Sequence, residues 1–230
     1  GADSFADGGA LRSLEDLTLI ESVVTGNQSG RGGGLYNGSG TMQIIRSTIS
    51  ANNNDGPQNG HRGSGITNWT DTLIVTDSTI SDNGFTVCEV CGGLRGAAGI
   101  YNHRGSVTVT GSAITGNSGG GIYSDGLDAA ADITITDSTI SDNVDGWFRG
   151  DGLTLSNTVT NIQDSFINDN EGQGIWSRFG NLTIDGSSIS GNTGFEGGGI
   201  RYGAADLAIS ETTISGNTAT DDGGGIYHGY

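Results

Sequence analysis

The sequence predicts an all-β fold: a right-handed parallel β-helix of about eight full turns plus a partial N-terminal turn, with three short strands in each turn. The first observation is a six-residue phrase that recurs every 27 residues or so and always ends in asparagine. The second is a strand-like alternation of apolar and polar residues just before each phrase. The eight copies are Ser22–Asn27, Ser47–Asn52, Ser78–Asn83, Ser112–Asn117, Ser138–Asn143, Ser165–Asn170, Ser187–Asn192 and Thr212–Asn217.

Three sets of apolar residues accompany the phrase and predict three strands per turn. The third residue before each closing asparagine is valine or isoleucine, and apolar residues recur five and seven positions before it, with Thr160 as the one departure. A glycine followed by leucine or isoleucine comes after each phrase, as in Gly152-Leu153. Two-residue hairpin turns do not separate the strands, so we expect each strand to pair in parallel with its counterpart one repeat later.

The polar residues of the phrase predict turn structure and stacking. Asparagine tolerates left-handed backbone, and its amide can bond to local backbone or to the asparagine of the next turn. We therefore predict a structural asparagine ladder made of Asn27, Asn52, Asn83, Asn117, Asn143, Asn170, Asn192 and Asn217. The serine or threonine that opens each phrase is expected to point inward, with its hydroxyl group bonded to backbone.

We interpret residues 1–230 as a single domain. Residues 1–16 form a partial first turn, with Ala10 in the position that leucine or isoleucine occupies elsewhere. Residues 84–98 form a long loop that carries Cys88 and Cys91. One C-x-x-C pair lacks the further ligands of a zinc site, so a local disulfide in an oxidising compartment is favoured over free thiols.

The charge of the chain excludes some partners. It has 26 acidic residues against nine arginines and no lysine, a net charge of -17. Such a surface repels nucleic acid and anionic membranes. No apolar run approaches the roughly 20 residues of a membrane span, and no signal peptide is visible. Because the first and last turns show no polar cap, we expect head-to-tail self-stacking or a longer array.

The candidate ligand sites are few. Acidic residues of two adjacent turns are predicted to stack, as a solvated acidic face or, alternatively, as a Ca²⁺ site or a carboxylate pair with the spacing of a retaining glycosidase; no other cofactor is expected. An outward column of aromatic residues after the glycine–isoleucine pairs is a candidate contact for glycans or a partner, unless it packs under loops. The stacked aspartates are Asp137, Asp142, Asp164 and Asp169; the aromatic residues are Tyr36, Tyr101, Tyr123, Trp176 and Tyr227. Sequons at Asn37, Asn68 and Asn181 are possible glycosylation sites.

Gly-Gly-Gly-Ile-Tyr after a Ser-x-Ile-Ser-x-Asn phrase resembles the repeats of bacterial polymorphic outer-membrane proteins and related β-helix surface proteins, from Gly8 to Tyr227. The resemblance implies a secreted or surface-displayed protein, often an adhesin or structural fibre. The expected function is therefore an extracellular structural or adhesive β-helix with no catalytic residues, which stacks end to end into a fibre or forms part of a longer stalk. The alternative is a carbohydrate-binding or carbohydrate-active β-helix, such as a polysaccharide lyase or hydrolase.

Overall fold

The computed structural model of the protein describes residues 7–54, 63–85, 98–126, 131–144, 150–204 and 206–229. Within these ranges every regular element is a β-strand, and the strands pair in parallel with the corresponding strands of neighbouring turns. Three long sheets result, and each turn contributes one strand to each sheet. The chain is a right-handed parallel β-helix, which confirms the predicted fold class.

The strands of the three sheets have the following bounds. The first sheet contains Leu11–Ser13, Leu35–Asn37, Ile66–Asn68, Ile100–Asn102, Ile122–Asp125, Leu153–Ser156, Ile175–Phe179, Ile200–Ala204 and Ile226–His228. The second sheet contains Leu17–Ile20, Thr41–Ile45, Thr72–Thr76, Ser106–Thr110, Ala131–Thr136, Thr158–Gln163, Leu182–Asp185 and Leu207–Ser210. The third sheet contains Val23–Thr25, Thr48–Ser50, Thr79–Ser81, Ala113–Thr115, Thr139–Ser141, Phe166–Asn168, Ser188–Ser190 and Thr213–Ser215. Two small sheets contain Gln28–Ser29, Asn53–Asn54 and Gly84–Phe85, and Thr193–Gly194 and Thr218–Ala219.

The apolar residues of the repeat stack in columns inside the coil. On the third sheet Val24 pairs with Ile49, Ile49 with Ile80, and the column continues in register to Ile214. Two more columns fill the inner side of the second sheet, and a fourth lines the first sheet. Because like residues stack over like, each isoleucine or leucine is buried by its own copies one turn above and below.

The first turn departs from the prediction in one detail. Leu11, not Ala10, pairs with Leu35 and begins the column of the first sheet. Ala10 takes the glycine position, where its N–H donates to the carbonyl oxygen of Gly34 at 2.9 Å. The prediction assumed a constant connection between the first two sheets, but Leu11 lies six residues before Leu17, whereas Leu35 lies seven before Met42.

The expectation that asparagine adopts the left-handed backbone of the turn is wrong. The residue with left-handed backbone is the one before each asparagine, and a second one precedes the serine or threonine that opens the phrase. The φ angles are 69°, 51°, 54°, 65°, 54°, 54°, 68° and 64° at Gly26, Ala51, Asp82, Gly116, Asp142, Asp169, Gly191 and Gly216. Glycine and aspartate dominate these positions because they tolerate the left-handed region best.

Because the preceding residue makes the turn, the asparagine side chains point into the coil and form a ladder. From Asn52 onward, each side-chain Oδ1 accepts hydrogen bonds from the backbone N–H and the Nδ2 of the preceding asparagine, as Asn143 does from Asn117, both at 3.1 Å. The same contact joins all eight asparagines from Asn27 to Asn217. Six of them are buried, from Asn52 to Asn192. The ladder therefore satisfies polar groups at a corner that water does not reach.

A second ladder is built from the serine column. The hydroxyl of Ser78 donates to the carbonyl oxygen of Thr76 at 2.7 Å and accepts a hydrogen bond from the backbone N–H of Ser47 at 3.0 Å. The pattern repeats from Ser22 to Thr212. An inward hydroxyl thus bridges each pair of turns, at a corner where the backbone cannot continue a regular sheet.

No helix in the described ranges is long and apolar enough to span a membrane.

Candidate functional site

The aromatic and basic residues are concentrated on one side of the coil. Every tyrosine and tryptophan in the described ranges lies on a first-sheet strand or directly follows one: Tyr36, Trp69, Tyr101, Tyr123, Trp176, Tyr202 and Tyr227. Arg12, Arg178 and Arg201 lie on first-sheet strands, and Arg31 and Arg104 lie within a few residues of one. Among the arginines that the structure describes, Arg46 alone lies elsewhere. Tyr202 points into the coil and belongs to the hydrophobic core. We call the outer surface of the first sheet, with the other residues named here, the aromatic face.

The five aromatic residues predicted to form an outward column do share one register. The column runs Arg12, Tyr36, Thr67, Tyr101, Tyr123, Thr154, Trp176, Arg201 and Tyr227. Their expected exposure is wrong for Tyr36 and Tyr101, which are only 5% and 4% exposed. Their rings are packed against neighbours instead, whereas Tyr123, Trp176 and Tyr227 are half-buried.

The centre of the aromatic face is a network of three polar groups. His103 and Asp125 occupy equivalent positions on adjacent turns, and Nδ1 of His103 lies 2.6 Å from Oδ1 of Asp125. The hydroxyl of Tyr101 donates to the other oxygen of Asp125, also at 2.6 Å. All three residues are buried. A carboxylate that accepts two hydrogen bonds fixes the orientation of both rings.

Aromatic rings enclose this network. Trp69 lies against His103 with a centroid separation of 4.2 Å, and Tyr101 stacks on Tyr123 at 5.5 Å with 13° between the ring planes. Because the rings of Tyr101 and Tyr123 are nearly parallel and lie on adjacent turns, their faces are directed along the axis of the coil. The backbone spacing of the sheet therefore sets the spacing of the rings.

The arginines of the aromatic face pack on its rings. The guanidinium carbon lies 5.8 Å from the ring centroid for Arg12 over Tyr36 and for Arg31 over Trp69, and 6.0 Å for Arg201 over Trp176. Asp7 lies close to Arg12 and Arg31, and Glu196 pairs with Arg201 at 2.6 Å. Cation–π and ionic contacts together hold these guanidinium groups over the rings.

Chemically, the aromatic face is suited to binding. It combines ring faces with carboxylate acceptors and guanidinium donors, which is the composition that recognises an amphipathic ligand with polar edges. Trp69, His103, Asp125 and the arginines were not predicted from the sequence. Only His103 and Arg104 had a local signal, since they directly follow the Ile-Tyr-Asn triplet that ends at Asn102.

The four aspartates considered for Ca²⁺ are explained by the backbone. Asp137, Asp142, Asp164 and Asp169 all occupy left-handed turn positions, with φ between 48° and 54°. Among the described residues, which include these four, no group of three or more histidine, cysteine, aspartate or glutamate side chains lies close enough together to hold a metal ion. Their repetition follows from the need for a residue that accepts this conformation.

Two of the predicted glycosylation sites are wrong. The side chains of Asn37 and Asn68 are fully buried and begin a further ladder, in which Asn37 donates to Asn68 and Asn68 to Asn102, both at 2.8 Å. An amide inside the coil cannot carry a glycan. Asn181 is exposed, so its glycosylation stays a prediction. Cys88 and Cys91 lie outside the described residues, as does most of the loop predicted at 84–98.

Comparison with known proteins supports the fold alone. A family model described as a right handed beta helix region matches residues 126–229. No curated protein and no solved structure matches the chain. The strand register continues unchanged on the N-terminal side of the matched region, so residues before 126 follow the same architecture.

Proposed function

We propose that the protein is an extracellular, non-catalytic β-helix that adheres to carbohydrate through its aromatic face. One observation carries the proposal. In a chain with a net charge of -17, the described tyrosines and tryptophans, and all the described arginines except Arg46, gather on or beside one of three sheets. Folding does not require tyrosine, tryptophan and arginine to gather on one sheet, because the strands of the other two sheets stack equally well without them.

Sugar rings suit this surface. Their C–H faces pack on aromatic rings, and their hydroxyl groups bond to carboxylate and guanidinium groups. Tyrosine, tryptophan and arginine are also the residues that contribute most binding energy at interfaces. The outer side of the third sheet, by contrast, carries mostly serine and threonine, with Phe166 as its one aromatic residue.

An extracellular location is supported by the resemblance to repeats of surface-displayed bacterial proteins. The acidic surface is consistent with it, since self-repulsion keeps a long repetitive rod from aggregating. Adhesion also needs a rigid support, and the two buried polar ladders supply one. The catalytic alternative finds less support, because the His103–Asp125 pair is buried and oriented by Tyr101.

Head-to-tail stacking stays a prediction. The first sheet has nine strands and the other two have eight each, so both the first and the last described turns carry a first-sheet strand with which a strand of a second copy would pair.

Replacing Trp176 by alanine tests the proposed function. We expect the wild-type protein to bind at least one member of a panel of immobilised neutral and uronic-acid polysaccharides. The Trp176→Ala variant should bind it about tenfold or more weakly, because a buried aromatic contact of about 1.4 kcal/mol or more is lost. Surface plasmon resonance on the panel, with thermal melting to check the fold, gives both quantities.

The matched control is Phe166→Ala. Phe166 is 57% exposed on the third sheet, so this variant removes an aromatic side chain of similar size from another surface. Its affinity should equal that of the wild type. No binding to any polysaccharide, or equal weakening by both substitutions, would refute carbohydrate adhesion through the aromatic face.

A further inference from the structure

The sequons of the chain differ in whether their asparagine side chains are accessible. An Asn-x-Ser/Thr sequence begins at Asn27, Asn37, Asn68 and Asn181. The amide of Asn27 belongs to the asparagine ladder and donates to Oδ1 of Asn52. Asn37 and Asn68 are buried in the ladder of the first sheet, whereas Asn181 is exposed. Of these four asparagines, Asn181 is the one that can take a bulky modification in the folded protein.

The side chain of Asn181 is free, although its backbone is fixed. Asn181 and Thr183, the residue that completes the sequon, are both exposed, and neither side chain has a hydrogen-bond partner in the part of the chain that the structure describes. The carbonyl oxygen of Asn181 accepts the N–H of Thr160 at 2.8 Å, and the next residue, Leu182, donates to the carbonyl oxygen of Asp206 at 2.9 Å. The amide therefore projects from a rigid support.

An exposed aromatic ring lies two residues before Asn181. Phe179 ends the strand Ile175–Phe179 and is 42% exposed. The guanidinium carbon of Arg178 lies 5.4 Å from the centroid of this ring. Because Phe179 remains exposed with Arg178 in place, part of its apolar surface is in contact with water. Covering that surface with another apolar group is favourable.

A bend at Gly180 holds the phenylalanine and the asparagine close together. Gly180 has a φ of 102°, and an added Cβ would collide with the backbone of Thr158 on the preceding turn. This position therefore requires glycine, and its conformation is fixed by the fold. Since two residues span at most about 7 Å even when extended, a sugar ring attached to Asn181 is within reach of the ring of Phe179.

We propose that Asn181 carries an N-linked glycan whose first sugar packs its C–H face on Phe179. In the transfer, Nδ2 of Asn181 forms a bond to the anomeric carbon of an N-acetylglucosamine that a polyprenyl diphosphate oligosaccharide supplies. The bond from that carbon to the diphosphate breaks, the diphosphate leaves with the bonding electrons, and the amide loses one proton. The inference shares the extracellular location of the proposed function and is independent of its carbohydrate adhesion.

Secretion of the full chain from a eukaryotic host that N-glycosylates its proteins tests the modification. We expect mass spectrometry of the secreted wild type to show one glycan, on the peptide that contains Asn181. Asn181→Gln and Thr183→Ala should lose it, whereas Thr183→Ser, which keeps the sequon, should retain it. A folded, secreted wild type without a glycan on Asn181 would overturn the proposal. Polysaccharide binding by unglycosylated protein tests adhesion separately, so the two failures are distinguishable.

Thermal melting tests the contact between the sugar and Phe179. An endoglycosidase trims the glycan to its first N-acetylglucosamine. The trimmed wild type should melt about 2 °C or more above the Asn181→Gln variant, because the sugar covers the exposed ring. In a Phe179→Ala background this difference should vanish, whereas Phe166→Ala, which removes an exposed phenylalanine of the third sheet, should preserve it. An equal rise with and without Phe179 would contradict the packing.

A spectroscopic measurement on the wild type keeps the test decisive if Phe179→Ala does not fold. The expected result is a nuclear Overhauser effect between the ring protons of Phe179 and protons of the trimmed sugar. A sugar on Asn181 that shows no such contact would overturn the packing on Phe179.

Discussion

Replacing Asn143 by alanine should lower the free energy of unfolding by about 3 to 5 kcal/mol, a large share of the stability of an ordinary domain. Asn143 is fully buried in the middle of the asparagine ladder. Its Oδ1 accepts two hydrogen bonds from Asn117, and its Nδ2 donates to the carbonyl oxygen of Ile114 and to Oδ1 of Asn170. Alanine leaves these groups without partners where water cannot replace them.

The comparison that isolates the ladder is Asn27→Ala. Asn27 has the same sequence environment and also donates to the next asparagine, Asn52, but no described residue donates to its Oδ1 and it is only partly buried. We expect a loss of about 1 kcal/mol for this variant. Urea unfolding of both variants gives the two free energies. Equal losses would mean that the ladder adds nothing beyond the local turn.

The width of the urea unfolding transition of the Asn143→Ala variant tests whether the turns unfold independently. Each turn contacts only its neighbours, so stability in such a coil is the sum of contributions from turns and their interfaces. A defect in the middle is therefore expected to broaden the unfolding curve, as the two halves melt separately. A defect in the first turn should leave it sharp.

Gly152→Ala is the second change with a large expected effect. An added Cβ would lie 2.6 Å from the carbonyl oxygen of Gly174, 2.9 Å from Nδ2 of Asn170 and 3.0 Å from Cγ2 of Ile167. Two of these contacts are with backbone or with the ladder, which cannot move without breaking hydrogen bonds. We expect a loss of about 1 to 3 kcal/mol or more, measured by denaturant unfolding.

Gly84→Ala provides the control for this change. The nearest atom to its added Cβ would be Cβ of Ser118 at 3.7 Å, an ordinary contact. Without strain, alanine in place of glycine stabilises by about 0.4 to 1 kcal/mol, because the unfolded chain loses freedom. Similar destabilisation by both substitutions would show that close packing against the asparagines is not the reason for the glycine that precedes the leucine or isoleucine of each first-sheet strand.

Residues of the repeat show how much of the fold could be predicted. The spacing of Ile80 and Ile114 placed them in one column, because a solenoid must put equivalent positions one above the other. The same logic failed at Ala10, since only the actual length of one connection decides which residue enters the column. It also failed for the turn conformation, which belongs to the residue before each asparagine.

The candidate site was predicted only in part, for a related reason. Alternation along a strand identified Tyr123 and Trp176 as outward residues. It could not show that Tyr36 and Tyr101 would be covered, because covering depends on neighbours from other turns. The pairing of His103 with Asp125 joins residues that are 22 positions apart, and no local pattern relates them.

The parallel coil, the register of its inner columns and the positions of the ladder asparagines follow from the sequence alone, since a repeated pattern admits one way of stacking equivalent residues. The residue that bends the chain at each corner and the polar side chains that are buried are known only from the folded molecule. The same holds for the covering of Tyr36 and Tyr101 in the aromatic column. Those features depend on contacts between turns, where the length of a connection and the size of one neighbouring side chain determine whether a residue is covered or accessible.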